Sequence, residues 1–346
     1  MKPLSFFVLA LLCLIMIAVG CKSKTKPLAG RFYSGTLFGK PYAIDAVGDS
    51  TDYSAQIDSI IHAFESNFDL MNPNSILSKF NAYSRRDSVF VFNDSTRAFG
   101  MVYDLTNDLN AATFQYFDPT LNPLKRAWIV TNSSGNVEPN LDSLYVFVGF
   151  DGAKMDLNEM SDSSHRYIES QLRKSDPRLE ADFTTVAAAL ALDHIGDLLK
   201  DAGMIQFRIK YGRDIITFGQ KVDTLNVFPI GVSEDSMDQY VRMIDQAFSF
   251  RNVKDKALMI DPSYGYPVDN EMAYVAVAAP SLVEATVFSE AFMAMGLEKA
   301  TEFYEMNKST RVQSFMFYAQ DSVMHSASTV GFDVMLLHPD SLPFNQ

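Results

Sequence analysis

Two proline-stiffened runs constrain this chain more than anything else in it. One is Phe117-Asp118-Pro119-Thr120, with Pro123, Leu124 and Trp128 behind it. The other is Ile260-Asp261-Pro262, ahead of Gly265-Tyr266-Pro267-Val268. Each sets an Asp, a Pro and turn formers between apolar segments. Proline fixes its own φ and restricts the residue before it, so both loops are stiff. Stiff polar loops on a folded scaffold are where ligand contacts concentrate. Either run taken alone reads as an ordinary Asp-Pro turn; their order among other landmarks makes them informative.

The segments around these loops alternate between helix and strand periods. Arg31–Ser34 and Pro41–Ile44 read as a hairpin around Gly39-Lys40. Ile57, Ile60, Ile61, Phe64 and Phe68 fall at helical spacing between Tyr53 and Leu70, with Asp52 or Thr51 as cap. Helices are expected from Ser95 to Ala112, from Thr185 to Ala202 with Gly203 closing it, and from Ser236 to Phe248. The start of 140–160 reads as a strand, with Tyr145 and Phe147 on one face and Val146 and Val148 on the other. Residues 205–232 read as three strands broken by Gly212, Gly219 and Asp223. Ala273–Ala279 reads as a strand running into Pro280. Leu282–Met295 is a strongly apolar helix ended by Gly296, and Glu298–Asn307 is a second. Arg311–Ala319 is a late strand. The spacing is not that of regular βαβ units, so the fold class is α+β, with mixed or antiparallel sheets and packed helices.

The amino terminus carries an address. Lys2 precedes an apolar run, Phe6–Val19, too short for a comfortable membrane span. Ile17-Ala18-Val19-Gly20-Cys21 resembles a bacterial lipobox, with Ala18 where Leu is usual. The expectation is cleavage after residue 20, lipidation of Cys21 and a polar tether to residue 30. A domain then spans 31–346, facing the periplasm from the outer membrane. Lys22 does not look like an inner-membrane retention signal. Several acyl chains anchor stably where one does not.

The only two cysteines are Cys13 and Cys21, so the mature domain has no disulfide, thiolate metal site or Cys nucleophile. The formal charge is −13, and loss of Lys2 with the leader makes it −14. An acidic surface argues against nucleic acid and against electrostatic docking on anionic lipid. Hydrophobic residues at 47 % of the chain fit a packed domain rather than disorder.

Common catalytic signatures are absent: no Walker loop, GxGxxG, HExxH or GxSxG. The five histidines are scattered without ligand spacing. His62 and His194 read as packed or solvated helix residues.

The landmarks nevertheless follow one order. Gly35-Thr36-Leu37-Phe38-Gly39 comes first, then Asn74-Ser75 and Ser78–Asn81. Phe117–Thr120, Val148-Gly149-Phe150, Asp182–Asp193, Gly212-Arg213-Asp214-Ile215 and Ile260–Val268 follow, and a helix ends at Gly296. Over roughly residues 30–320 this order resembles the ApbE family, the FAD:protein FMN transferases. The resemblance implies a T-fold-like single large domain. It implies binding of FAD and Mg²⁺, and transfer of FMN to a Thr or Ser hydroxyl of an acceptor protein with release of AMP; some relatives hydrolyse FAD instead. Carried over residue by residue, it points to Phe38, Ser75, Asn81, Asp118, Thr120, Asp182, Asp193, Arg213, Asp214 and Asp261 as flavin-nucleotide contacts. It also brings the Asp118 and Asp261 loops to one cleft.

Departures from the family pattern are as informative. The stretch resembling D-L-G-A-I-A-K-G-Y-A-V-D keeps Asp182 and Asp193 but holds Ala188 at the Lys position. The Gly-Gly-Asp motif reads Gly212-Arg213-Asp214, where Arg213 either meets a phosphate or stays solvated. The Thr-Ser-Gly turn reads Phe248-Ser249-Phe250. Leu258 occupies the position of a His. On the late helix, Thr286 and Glu290 hold the positions of the Mg²⁺-ligating Asp and Thr. Glu290 with Thr286 forms a rearranged metal site, or lines a pocket that no longer holds metal; Mg²⁺ tolerates little change in geometry. Three functions stay open: a transferase or FAD pyrophosphatase with a substituted site, an inactive flavin- or partner-binding lipoprotein, and a solute-binding lipoprotein unrelated to flavin.

Overall fold

The computed structural model describes residues 28–85, 89–94, 96–134, 138–161, 167–219, 227–230 and 239–337. The leader, Cys21, most of the tether and Asp223 lie outside these residues. Among the described residues no helix is long and apolar enough to cross a membrane.

The chain opens with a hairpin, β1 (Ala29–Leu37) and β2 (Lys40–Gly48), in which Leu37 pairs with Lys40. Only Phe38 and Gly39 remain for the turn, at φ 49° and 73°. Two positive φ values match the right-handed twist of the strands, as in a type I′ turn. Gly39 adopts this freely; Phe38 does not. The Phe38 amide donates to Glu65 Oε1 at 3.0 Å, which ties the strained residue to α1 (Ser54–Phe68).

Eight antiparallel strands form the main sheet, in the order β1-β2-β6-β7-β10-β11-β12-β13. The later members are β6 (Gln206–Tyr211), β7 (Asp214–Phe218), β10 (Ala247–Asn252), β11 (Met272–Ala279), β12 (Gln313–Gln320) and β13 (Val323–Ser328). Every residue of β11 is buried. Its odd members Val275, Val277 and Ala279 enter the large core, and Tyr274, Ala276 and Ala278 enter a smaller one with Phe248, Phe315 and Phe332. Successive strand side chains point to opposite faces, so this sheet is covered on both. Two three-stranded sheets complete the set among the described residues. One holds β3 (Val89–Phe92), β5 (Tyr167–Lys174) and β4 (Met155–Ser161); the other holds β14 (Leu336–Leu337), β9 (Gln239–Arg242) and β8 (Val227–Ile230).

The large core lies between the sheet and the helices α1, α6 (Thr184–Asp201) and α8 (Leu282–Met306). Helix α8 packs on β10, β11 and α6, and α6 packs on α1. The remaining helices are α2 (Ile76–Ala82), α3 (Ala98–Ala112), α4 (Asn122–Ser134), α5 (Leu141–Tyr145), α7 (Val253–Lys256) and α9 (Val330–Asp333). The expected α+β class holds, as a single domain of helices and antiparallel sheets. Phe183, fully buried, meets Phe68, Phe99, Tyr103 and Phe150 edge-on. Truncating such a side chain to Ala costs about 3–5 kcal/mol. Phe183 thereby fixes the backbone between Asp182 and Thr184.

The two expected helices around Gly296 form one α8 with a break at that residue, at φ 79° and ψ 175°. The break is satisfied from outside. Asn270 Nδ2 donates to the Met293 and Ala294 carbonyls at 3.0 and 3.1 Å, and Glu271 Oε1 accepts from the Leu297 amide at 2.6 Å.

Three expectations fail. The start of 140–160 is not a strand but α5, capped by Asn140, whose side chain accepts from the Ser143 amide at 3.0 Å. Leu141, Leu144 and Tyr145 pack on the core with helical spacing, and Phe147 and Val148 are buried one after the other instead of alternating. Nor is 236–248 a helix: its described part holds β9 and the start of β10. Val241 and Met243, two apart, are fully buried, and Asp245 turns the chain at φ 55° between the strands. Tertiary pairing overrides a mixed local period there. Helix α1 has Tyr53 at its cap position without a side-chain bond; Asp52 accepts from the amide and hydroxyl of Ser54, at 3.1 and 2.7 Å.

Candidate functional site

The two Asp-Pro loops are joined by aromatic side chains. Trp128, on α4, donates from Nε1 to the Gly265 carbonyl at 2.7 Å, and its ring meets Tyr266. Tyr145, on α5, donates to the Pro262 carbonyl at 2.8 Å. Tyr145 titrates above its ordinary range because of burial first and of Asp261 and Asp118 next.

Asp118 is held by its own loop and by the next. Its Oδ1 accepts from the Thr120 amide and hydroxyl at 2.7 and 2.6 Å, and its Oδ2 from the Phe150 amide at 3.1 Å. The Thr120 hydroxyl accepts from the Gly149 amide at 2.7 Å. Burial pushes the Asp118 carboxyl up, partly offset by these donors. The Pro119 carbonyl receives the Asp182 amide at 2.8 Å. Asp182 in turn accepts from the Thr184 amide and hydroxyl, at 3.0 and 2.5 Å, and from Asn122 at 3.3 Å.

Two adjoining cavities open beside these loops. Tyr116, Asp118, Lys125, Asp182, Ile260 and Glu290 are on the wall of the first. The second, about 200 Å³, is bounded by Phe38, Lys40, Ala188, Asp214, Arg251 and Thr286. Thr185 and Glu290 line both, so α6 and α8 form a common wall.

A buried guanidinium dominates the second cavity. Arg251 Nη1 lies 3.3 Å from Asp214 Oδ1 and donates to Ser249 Oγ and the Phe250 carbonyl, each at 2.9 Å. Its Nη2 donates to Glu290 Oε1 at 3.1 Å. The Ser249 hydroxyl donates to Asp214 Oδ1 at 2.6 Å and meets Ser289 Oγ at 3.0 Å. Burial alone would pull the guanidinium pKa down, but Asp214 and Glu290 outweigh it and hold Arg251 above its ordinary value. Thr286, buried on the same face of α8 one turn before Glu290, has a hydroxyl with no hydrogen-bond partner among the described residues.

Of the residues singled out by sequence, Phe38, Asp118, Asp182, Asp214, Thr286 and Glu290 line the paired cavities. The others brace the surroundings. Ser75 caps α2 by accepting from the Ser78 amide. Asn81 pairs with Ala181. Thr120 links Asp118 to Gly149. Asp193 accepts from the Leu282 and Val283 amides at 2.9 and 3.1 Å, at the start of α8. Arg213 pairs with Asp255 and lies over Phe250. Asp261 closes its own loop, its amide bonded to the Tyr266 carbonyl and its side chain to the Ser263 amide. His194 is half-buried against Phe64, and burial lowers its pKa.

Sequence reasoning missed Arg251, Lys40, Lys125 and Thr185. For Arg251 the signal was strand alternation, which sets it on the face of Ser249. Lys125 lies two residues beyond Pro123, inside a run already singled out.

The donor set does not suit a divalent cation. Glu290 and Asp214 are already bonded to a guanidinium, and Thr286 is a weak ligand. Among the described residues no three His, Cys, Asp or Glu side chains cluster as metal ligands do.

Carboxylates at Asp69, Asp118, Asp182, Asp214 and Glu290 share the walls of the two cavities with Arg251 and two lysines. Fold and site thus define an α+β protein with two adjoining cavities lined by charged side chains. The chain belongs to the ApbE family, whose model matches residues 38–315. It is 25 % identical over 323 residues to the FAD:protein FMN transferase of Vibrio cholerae, spanning 87 % of this chain and 91 % of that protein. Its identity with the Escherichia coli FAD:protein FMN transferase is 23 % over 327 residues, spanning 86 % and 89 %. The fold matches the flavin transferase ApbE from Vibrio cholerae at a TM-score of 0.71 and 20 % identity, covering 89 % of this chain and all (100 %) of that one. The apo flavinyl transferase ApbE of Pseudomonas stutzeri superposes equally well, at 0.71 with 21 % identity over 89 % and 97 % of the two chains.

Proposed function

We propose that this chain binds FAD in the paired cavities and transfers its FMN half to a Thr or Ser hydroxyl of an acceptor protein. The observation that carries the reading is the shared wall. Segments as distant as Phe38, Asp118, Asp182, Asp214 and Glu290 converge on two cavities that meet at Thr185 and Glu290. An FAD molecule needs such an elongated cleft, with a polar centre for its diphosphate.

The chemistry is a displacement at phosphorus. The acceptor oxygen forms a bond to the FMN-side phosphorus, the bridging P–O bond breaks, and AMP leaves with the electron pair. The hydroxyl proton passes to a carboxylate of the cleft; Asp182 and Glu290 both line it. Alignment of the hydroxyl and compensation of phosphate charge carry most of the rate. In this chain Lys40, Lys125 and Arg251 supply the positive charge. Leader and lipobox support the further proposal that the domain is anchored through Cys21 and faces the periplasm.

A second reading, flavin binding without transfer, is favoured by one observation: Arg251 is already engaged by two carboxylates. Incubation with FAD and an acceptor domain, with and without Mg²⁺, separates the readings. Covalent flavin fluorescence on the acceptor with matching AMP release supports transfer. Bound FAD without either product supports the second reading. Failure to bind FAD overturns both.

A further inference from the structure

We propose that the Arg251 guanidinium takes the place of a divalent cation in this cleft, so that a diphosphate-bearing flavin nucleotide is held there without metal. The ligand half of this statement rests on the flavin reading above; the cation half does not.

Three observations carry it. First, the carboxylates that would ligate a metal are bonded to a cation that belongs to the chain. Asp214 and Glu290, on β7 and α8, converge on one guanidinium from β10. A metal brought to the same oxygens would have to displace Arg251 or sit against it, charge to charge. Second, Arg251 is locked. Its side chain is only 11 % exposed, and Nη1 is fixed by Ser249 Oγ and the Phe250 carbonyl as well. Moving it aside would strand two carboxylates and a carbonyl. Third, the cavity retains an unused donor. Thr286 is 3 % exposed, lines the cavity, and its Oγ1 has no partner among the described residues. A hydroxyl beside a guanidinium edge suits a phosphate oxygen, which accepts from both.

The charge balance says what kind of ligand this site takes. Three carboxylates, Asp69, Asp214 and Glu290, share the wall with two cations, Arg251 and Lys40. The lining is formally one charge negative before a ligand arrives. It therefore suits one or two phosphates carried on a large apolar body rather than a free polyanion.

The experiment has two arms on the purified full chain. In the first, Mn²⁺ is titrated and followed by electron paramagnetic resonance. The wild type should leave the free Mn²⁺ signal undiminished at millimolar concentrations. A bound equivalent that disappears in Glu290→Gln overturns the proposal. In the second arm, FAD binding is followed by quenching of its fluorescence in EDTA and in Mg²⁺. Equal affinity within about twofold in the two buffers, with about a tenfold loss in Arg251→Gln and partial rescue in Arg251→Lys, is expected for a charge-assisted contact. A tenfold or greater gain of wild-type affinity on adding Mg²⁺ would overturn it (about 1.4 kcal/mol). A wild type that refuses both Mn²⁺ and FAD sinks the flavin reading and leaves Arg251 in the cation's place.

Discussion

Asn81 and Ala181 exchange a reciprocal pair of hydrogen bonds across a hundred residues of chain. The Asn81 side-chain amide donates to the Ala181 carbonyl at 2.8 Å, and its oxygen accepts from the Ala181 amide at 2.9 Å. A side chain here does what a neighbouring strand would do. The next residue along is Asp182, so the pair sets the height of that carboxylate on the cleft wall.

Asn81→Ala leaves both backbone groups of Ala181 without protein partners, at a cost of about 1–3 kcal/mol. Chemical denaturation should show this as a lower midpoint at unchanged slope. Asn81→Asp keeps the acceptor and loses the donor, and should fall between the two. A midpoint equal to wild type in Asn81→Ala would show that the pair adds nothing.

Thr120→Val keeps shape and removes one hydroxyl. That hydroxyl donates to Asp118 and accepts from Gly149. The loss should cost about 1–3 kcal/mol and release the turn at 149–150. Amide exchange at Gly149 and Phe150 should accelerate, while β11 amides stay protected. Uniform acceleration over both would mean global destabilisation instead.

Asp193 sets a pH dependence. Burial pushes its carboxyl up to about 6, against the pull of the Leu282 and Val283 amides. The folded state therefore binds a proton that the unfolded state has already released between about pH 4 and 6. Stability from this group is full below the unfolded pKa and is lost as pH rises through the folded one. The loss by pH 7 amounts to about 3 kcal/mol. Asp193→Asn should flatten this slope in denaturation curves taken from pH 4 to 7. An unchanged slope in the variant would assign the dependence elsewhere.

Trp128 is the only tryptophan in the chain. It is bonded to the Asp261 loop, whose neighbour Ile260 lines the first cavity. FAD absorbs where indole emits, so titration with FAD should quench intrinsic emission in a saturable way. Trp128→Phe should abolish the signal while FAD binding, read from flavin fluorescence, persists. Emission that does not change on saturation with FAD would place the flavin far from this loop.

Much of the architecture was legible in the sequence. Helices α1, α3 and α6 announced themselves because each buries an apolar face, α8 because its first half is apolar nearly all round, and β11 because it is apolar on both faces. Residues 140–148 and 239–248 misled because their apolar residues satisfy partners distant in sequence, not a local period. The cleft was legible through the family resemblance, which pointed to Asp118, Asp182, Asp214 and Glu290 on its walls. Asp193 shows the limit. Its place in a family motif suggested a ligand contact, yet both its oxygens accept from the first turn of α8. Arg251 shows the opposite limit. Strand alternation sets a lone arginine on a face but does not name its partners until the fold brings Asp214 and Glu290 to it.

The break at Gly296 separates two kinds of freedom. A continuous helix is a single screw: a residue inserted or lost anywhere turns everything beyond it by about 100°. In α8 that screw is cut, and Asn270 and Glu271 clamp the cut ends separately. Thr286 and Glu290 take their rotational phase from Asp193 at one end and Asn270 at the other. The 297–306 stretch can therefore change length, drift in sequence or carry a fused segment without rotating the cleft wall.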